Sequence, residues 1–587
     1  MSHSITRASR WMLLLGIVAG TGCFEPEEWH RWWSQLGDRG SQPTADPRPE
    51  PKSAALRGTI SPLVTVSGLR LNRVRGYGLV ANLVDTGGSD GPEIVRKHLA
   101  KEMRRRQPLG AAAIPADEIL EDRDTSIVEV TGLIPAIAER GTRFDLAIRA
   151  MGEQTRSLAG GHLFLCDLVR FSETPRGIIS GKTMATAMGP VFISPFGHDR
   201  KAATKMDPRV GVVLGGGTVK EPRKLRLILN TPSYGIARQI QRRLNDRYGT
   251  LTPVADAISG SLIDIHVPPK YKRHKEGFLD LILHTTLRSD RTFLEARARA
   301  LAKEITHPDA AYDAIALAWE ALDEQVTLPV VRSFYTHPAP AVSYYAGRTG
   351  MHLGDVPGME VVARHARDSA SVFRLQAIEE LGWAAYKMFG AGEHLSKLVD
   401  DPDVRARIGA YRALRDHDHH TIQSTVLDQD NMILDVVDSS GPFLIYVQRS
   451  TAPRIALFGK HMACRPPLLY PDTTETEAPW DALVTLHADP DATELTLQRW
   501  NRSNRKISAP LPCPLNVVAL IRYLGDTPRP GPDGELMGMG VPYSKIVDIL
   551  FRLCQSKAIG ATFEVERPRV TENLIFRRQR RRPESEY

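Results

Sequence analysis

The chain has 587 residues, 42% of them hydrophobic and 25% charged, with a formal net charge of +8. It is too long for a single hydrophobic core and too apolar for a disordered polymer, so two or more folded domains are expected. Five positive charges, Arg577, Arg578, Arg580, Arg581 and Arg582, cluster within six residues of the tail 567–587. That leaves a mildly basic body and a basic tail that reads as a solvated terminus, with anionic envelope material as its alternative target. No nucleic-acid partner is expected, because the basic residues are not interleaved with aromatics.

Residues 1–23 read as an export signal. Arg7 and Arg10 precede the apolar run Trp11 to Ala19, which is too short to span a bilayer. Gly20-Thr21-Gly22 before Cys23 resembles the lipobox of bacterial lipoproteins, with glycine where that motif has an aliphatic residue. Cys23 is therefore the candidate lipidation site, and a lipid there would anchor the chain to the outer membrane. Residues 24–58 are rich in proline and charge and are expected to form a disordered tether, interrupted by Trp29, Trp32 and Trp33.

From 59 to 285 the pattern is mixed α/β. Ile127-Val130 and Phe144-Arg149 read as strands, the second cleanly alternating, and Ile94-Arg106 and Tyr234-Arg247 have helical spacing. Gly87-Gly88, Gly160-Gly161 and Gly215-Gly217 punctuate these elements as turns or points of close packing. Between 290 and 430 strand signals vanish. Aligning Tyr312, Val342, Val372 and Val404 gives intervals of 30, 30 and 32 residues, the period of a helical solenoid whose usual task is partner binding. The unit at Asp401-Leu414 resembles a HEAT-type repeat. Strands return over 431–566 (Phe443-Val447, Arg454-Phe458, Ala561-Val565), with helices at Leu515-Leu524 and Tyr543-Gln555. The expected fold class is thus α+β, a mixed α/β core with an inserted all-α, HEAT-like helical region.

No catalytic constellation assembles. Asp416-His417-Asp418-His419-His420 carries metal-ligand chemistry, but neighbouring residues diverge on a helix and the i, i+4 spacing of H-E-x-x-H is missing. A polar turn is expected there; a metal-dependent hydrolase built on it is the enzyme alternative. Neither Gly76-Tyr77-Gly78 nor Gly215-Gly217 has a phosphate-loop context. The carboxylate pairs Glu276/Asp280 and Glu379/Glu380 read as solvated faces. With Cys23 given to lipid, Cys166, Cys464, Cys513 and Cys554 allow three complete disulfide pairings in an oxidising compartment. Their irregular spacing gives structural zinc little support. No metal or cofactor is expected.

Val74-Arg75-Gly76-Tyr77-Gly78-Leu79-Val80 with Asp85-Ser89 resembles the opening block of bacterial flagellar basal-body P-ring proteins. So does the longer series Val130-Pro135, Gly141-Thr142-Arg143-Phe144-Asp145-Leu146 and Ser157-Leu158-Ala159-Gly160-Gly161. Segments at 230–268 and, more weakly, 440–566 are also similar, with Asp526-Val541 as extra chain between the closing helices. The resemblance implies a non-catalytic, periplasmic subunit of a homo-oligomeric ring around the flagellar rod, within peptidoglycan and beside the L-ring. Gly76, Tyr77, Gly78, Gly141, Arg143, Asp145, Gly160 and Gly161 would be its structural motif. The helical array implies a further protein partner. The alternative is an envelope lipoprotein scaffold without a flagellum.

Overall fold

The structure is a computed structural model describing residues 55, 57–106, 115–174, 177–194, 207–249, 252–385, 388–471, 484–501, 506–530 and 536–566. The export segment with Cys23, nearly all of the expected tether and the arginine tail lie outside the described residues. Among the described residues no helix is long and apolar enough to cross a membrane.

In chain order, β1 (Val64–Ser67) is followed by β2 (Asn72–Ala81), α1 (Glu93–Arg106) and α2 (Ala116–Glu121). Then come β3 (Ser126–Ile134), β4 (Arg143–Ala150), β5 (His162–Thr174), β6 (Gly177–Pro190) and β7 (Val210–Val219). Strands β2-β3-β4-β7-β6-β5 close into an antiparallel barrel, which leaves no open edge to pair with another chain. Its interior holds Val74, Val128, Val130, Leu146, Leu163, Leu168, Ala185 and Val213. Beside it, β8 (Leu225–Leu229), α3 (Tyr234–Tyr248), β9 (Ala255–Ala257), β10 (Leu262–Ile265) and α4 (Lys275–His284) form a second layer. The sheet order there is β1-β8-β10-β9. In β8 the alternate residues Leu225, Leu227 and Leu229 bury against Ile240, Leu244 and Phe278 of the helices, as a one-sided sheet requires.

Among the described residues eight α-helices follow: α5 (Arg291–Glu304), α6 (Tyr312–Ala321), α7 (Glu324–Val331), α8 (Pro340–His352), α9 (Val356–Arg367), α10 (Arg374–Ala384), α11 (Ala391–Ser396) and α12 (Val404–Arg415). The periodic positions mark the second helix of successive pairs. Tyr312 and Val404 open α6 and α12, Val342 lies in the first turn of α8, and Val372 precedes α10.

The C-terminal part has β11 (Ile422–Val426), β12 (Ile433–Val437), β13 (Leu444–Gln448), β14 (Arg454–Phe458), β15 (Leu468–Tyr470), β16 (Val484–Ala488), β17 (Glu494–Asn501), β18 (Lys506–Ile507) and β19 (Leu511–Pro514). It ends with α13 (Val517–Gly525), the short ladder β20 (Arg529–Pro530) and β21 (Leu536–Met537), α14 (Tyr543–Gln555) and β22 (Thr562–Val565). The extra segment Asp526-Val541, read as a loop, thus contains a small ladder.

The mixed sheet β11-β12-β14-β13-β22 explains why the helical array is more than an appendage. Leu444, Tyr446, Ala456 and Phe458 pack on Ile378, Leu381, Ala410 and Tyr411 of the array. The intervening Ile445, Val447, Ile455 and Leu457 pack on Leu520, Ile546 and Leu550 of α13 and α14. Both faces are buried, so β13 and β14 are continuous apolar runs. The same physics overturns one expectation. Strand β4 does not alternate cleanly, because Ala147, which faces out of the barrel, is buried with Val210, Val212 and Leu214 against the C-terminal core.

Candidate functional site

The motif residues converge on the barrel wall and its seams. Gly76 and Gly78 lie inside β2; a Cβ at Gly76 would strike the Asp167 carbonyl of β5, and one at Gly78 would strike Leu163. Tyr77 packs against the α1–α2 layer. Gly141 (φ +84°) and Gly160 (φ +76°) supply left-handed turns before β4 and β5. Gly161 admits the side chains of Val80 and Leu83. Arg143 is exposed at the start of β4, opposite Thr218.

Asp145 makes the most consequential contact. Its Oδ1 accepts the Gly215 N–H at 2.7 Å and the Thr451 N–H at 2.8 Å, joining the barrel to the loop after β13. The other side of that loop is held by Glu566, whose Oε2 accepts from Arg449 N at 2.9 Å and Ser450 Oγ at 2.8 Å. Of the two readings for Gly215-Gly217, turn or close packing, the second holds. The segment lies within β7, where the register against β4 shifts between Phe144 and Leu146. Gly215 has φ +58° and no room for a Cβ beside the Thr451 carbonyl, so close packing is its role.

A second cluster, missed from sequence, sits where the array meets the α/β layer. His352 of α8 places Nδ1 2.8 Å from Glu320 Oε2 of α6 and Nε2 2.8 Å from Glu380 Oε2 of α10. Its side chain is 8% exposed. Ionised carboxylates only accept, so both ring nitrogens must donate and the imidazole is held as a cation. Burial by itself pulls the His352 pKa down, but Glu320 and Glu380 outweigh it and raise it to about 9. Burial pushes the Glu380 carboxyl up, yet His352 and Arg348 hold it at about 2. Arg348 completes the group, with Nε 3.0 Å from Glu380 and Nη1 2.5 Å from Asp313. Trp383 lies on the His352 ring at 4.2 Å. Across a cleft lined by Tyr248, Lys270 and Tyr271, Arg247 of α3 donates to the Leu322 carbonyl at 2.5 Å. The expectation of a solvated face at Glu379/Glu380 therefore fails for Glu380, because Arg348 and His352 of the preceding repeat cover it; Glu379 and Glu276 are exposed.

The Asp416–His420 run divides. Asp416 pairs with Arg415, and His417 Nε2 lies 2.6 Å from the Gly382 carbonyl. Asp418, at φ +50°, turns the chain, and the neighbouring rings of His419 and His420 come to lie 4.2 Å apart. Glu393 of α11 meets them, and one donor atom from each of the three residues lies within 4.8 Å of the others. His419 Nδ1 is engaged by the Thr421 hydroxyl at 2.9 Å.

The disulfide expectation is corrected. Cys166 is in the barrel interior, whereas Cys464, Cys513 and Cys554 belong to the C-terminal core, where all three are free thiols. With one cysteine on a separate core, two bridges do not form. Burial pushes each of these three thiols up to about 12. We expect the native protein to resist Ellman's reagent at these positions at pH 8 and to release all three on denaturation; rapid native labelling would contradict the packing.

A family model described as "Flagellar P-ring protein" matches residues 59–296. The chain is 31% identical over 269 residues to the flagellar P-ring protein of Anaeromyxobacter dehalogenans strain 2CP-C, covering 44% of this chain and 66% of that one. It is 30% identical over 261 residues to that of Geobacter metallireducens (43% and 65%), and 30% identical over 223 residues to that of Nitratidesulfovibrio vulgaris (36% and 57%). The chain thus spans just under two thirds of the length of the first two relatives. The matched range takes in the barrel, its motif glycines and Asp145, and the β1-β8-β10-β9 layer. Over residues 59–296 the chain is therefore similar to the flagellar P-ring protein family.

Proposed function

We propose that the chain is a non-catalytic structural subunit of a periplasmic ring assembled around the flagellar rod, next to the L-ring and within peptidoglycan. The observation that carries this reading is the use made of the family motif. Gly76, Gly78, Gly161 and Asp145 are all spent on strand packing and on the seam between barrel and C-terminal core, the needs of a rigid structural part. A bulge in β5 between Leu163 and Cys166 turns both Phe164 and Leu165 outward beside Met188 of β6, leaving them about half exposed. That apolar strip suits a neighbouring copy in a head-to-tail ring. Export through 1–23, lipid on Cys23, a tether over 24–58 whose expected disorder ends at Ala55, fully buried against Leu294 and Ala298 of α5, and the basic tail 567–587 complete the division of the chain. The helical region 290–430 serves an additional protein partner.

Electron microscopy of the purified mature chain tests the reading. Closed rings are expected, and Phe164→Asp should leave folded monomers. Strictly monomeric particles, both alone and with basal-body fractions, would overturn it.

A further inference from the structure

We propose that Glu393, His419 and His420 form a binding site for a divalent transition metal of the zinc type. Two imidazoles and a carboxylate are the donor set that such ions select. The residues come from two places, Glu393 from α11 and the two histidines from the turn between α12 and β11, and they converge there. Gly392 makes the approach possible, since a Cβ there would sit 3.0 Å from the His419 ring. With Nδ1 of His419 held by Thr421, the Nε2 edge is the one turned toward α11. This is how a supporting hydrogen bond fixes the tautomer and direction of a metal-binding histidine. Donor atoms within 4.8 Å of one another must close by roughly 1 Å to share an ion at about 2.0–2.2 Å from each. Glu393 and His420 are exposed, so their side chains can rotate that far at little cost. Water would fill the remaining coordination position. The ion would clasp the last helix pair of the array to the edge of the central sheet, a structural role independent of the ring reading.

The probe is zinc sulfate alone, titrated calorimetrically into chelator-stripped full-length protein, with thermal melting in parallel. One ion per chain should bind with a dissociation constant of roughly micromolar order, and saturating zinc should raise the melting temperature. Glu393→Gln and His420→Ala should each weaken binding at least about tenfold, and Thr421→Val by a smaller factor. His98→Ala, on α1, should change nothing. Circular dichroism and melting in chelator establish that the variants are folded. No saturable binding up to about 1 mM zinc, or wild-type affinity in both ligand variants, would overturn the site.

Discussion

Arg348→Ala is expected to destabilise the protein by about 3–5 kcal/mol, because it leaves Glu380 and Glu320 partly uncompensated in the interior. Arg348 is 8% exposed and reaches both Glu380 and Asp313. Removing it costs far more than deleting a surface ion pair, worth about 0–1 kcal/mol. Urea unfolding followed by the fluorescence of Trp319 and Trp383 measures the loss; a change within about 1 kcal/mol would show that the cluster is solvated. The same cluster sets a pH window. The folded pKa of His352, about 9, lies above its ordinary 6.5. Its contribution is therefore complete below 6.5 and is lost as the pH rises through 9. Glu380 is lowered from 4.5 to about 2, so its contribution is complete above 4.5 and is lost as the pH falls through 2. Stability from the cluster should be flat between pH 4.5 and 6.5 and decline on either side. His352→Gln should abolish the alkaline decline specifically; an unchanged slope between pH 7 and about 9.5 would assign that decline to other groups.

The periodicity of the helical region was legible because each unit must bury an apolar face on the next, and that demand writes itself into the sequence every 30 or so residues. What the units exchange across their polar faces was not. Glu320 and Glu380 stand at the same offset from the register residues Tyr312 and Val372, a signal that could have been read as two acids flanking the intervening helix and its His352. In isolation, however, an acid on a helix looks solvated. The motif glycines were recognisable as fold determinants, yet the distinction between a turn at Gly160 and a strand interior at Gly215 needs the identity of the opposing backbone, which local sequence does not hold. Glu393 was invisible as a partner of His419 because a turn with Asp418 in the left-handed region, not helical spacing, brings the two histidines to one side. The three-layer packing of the central sheet was half visible: the apolar runs Leu444-Val447 and Ile455-Phe458 declare burial on both faces, without saying which elements supply the covers.

Asp145→Ala should destabilise the protein by about 2–4 kcal/mol, by withdrawing one charged acceptor from two backbone donors. Gly215 is buried, so its N–H loses a partner that water cannot readily replace; Thr451 is exposed, and its N–H can turn to solvent. The cost is therefore asymmetric and concentrated on the barrel side. Asp145→Asn separates charge from geometry, since its amide oxygen can still accept both bonds, and it should recover more than half of the loss. The damage should also be localised. Glu566 still holds Arg449 and Ser450, so hydrogen exchange should rise at Gly215 and Thr451 while the interior of β13 stays protected. Uniform deprotection of β13 and β14 would mean instead that the seam is needed for the whole C-terminal core to form. Wild-type stability in Asp145→Ala would show that this motif residue serves something other than the joint between barrel and C-terminal sheet. On the proposed ring reading, load passes across that joint, and the local outcome carries a second expectation: rings assembled from Asp145→Ala chains should dissociate at lower urea than wild-type rings, before the barrel itself unfolds.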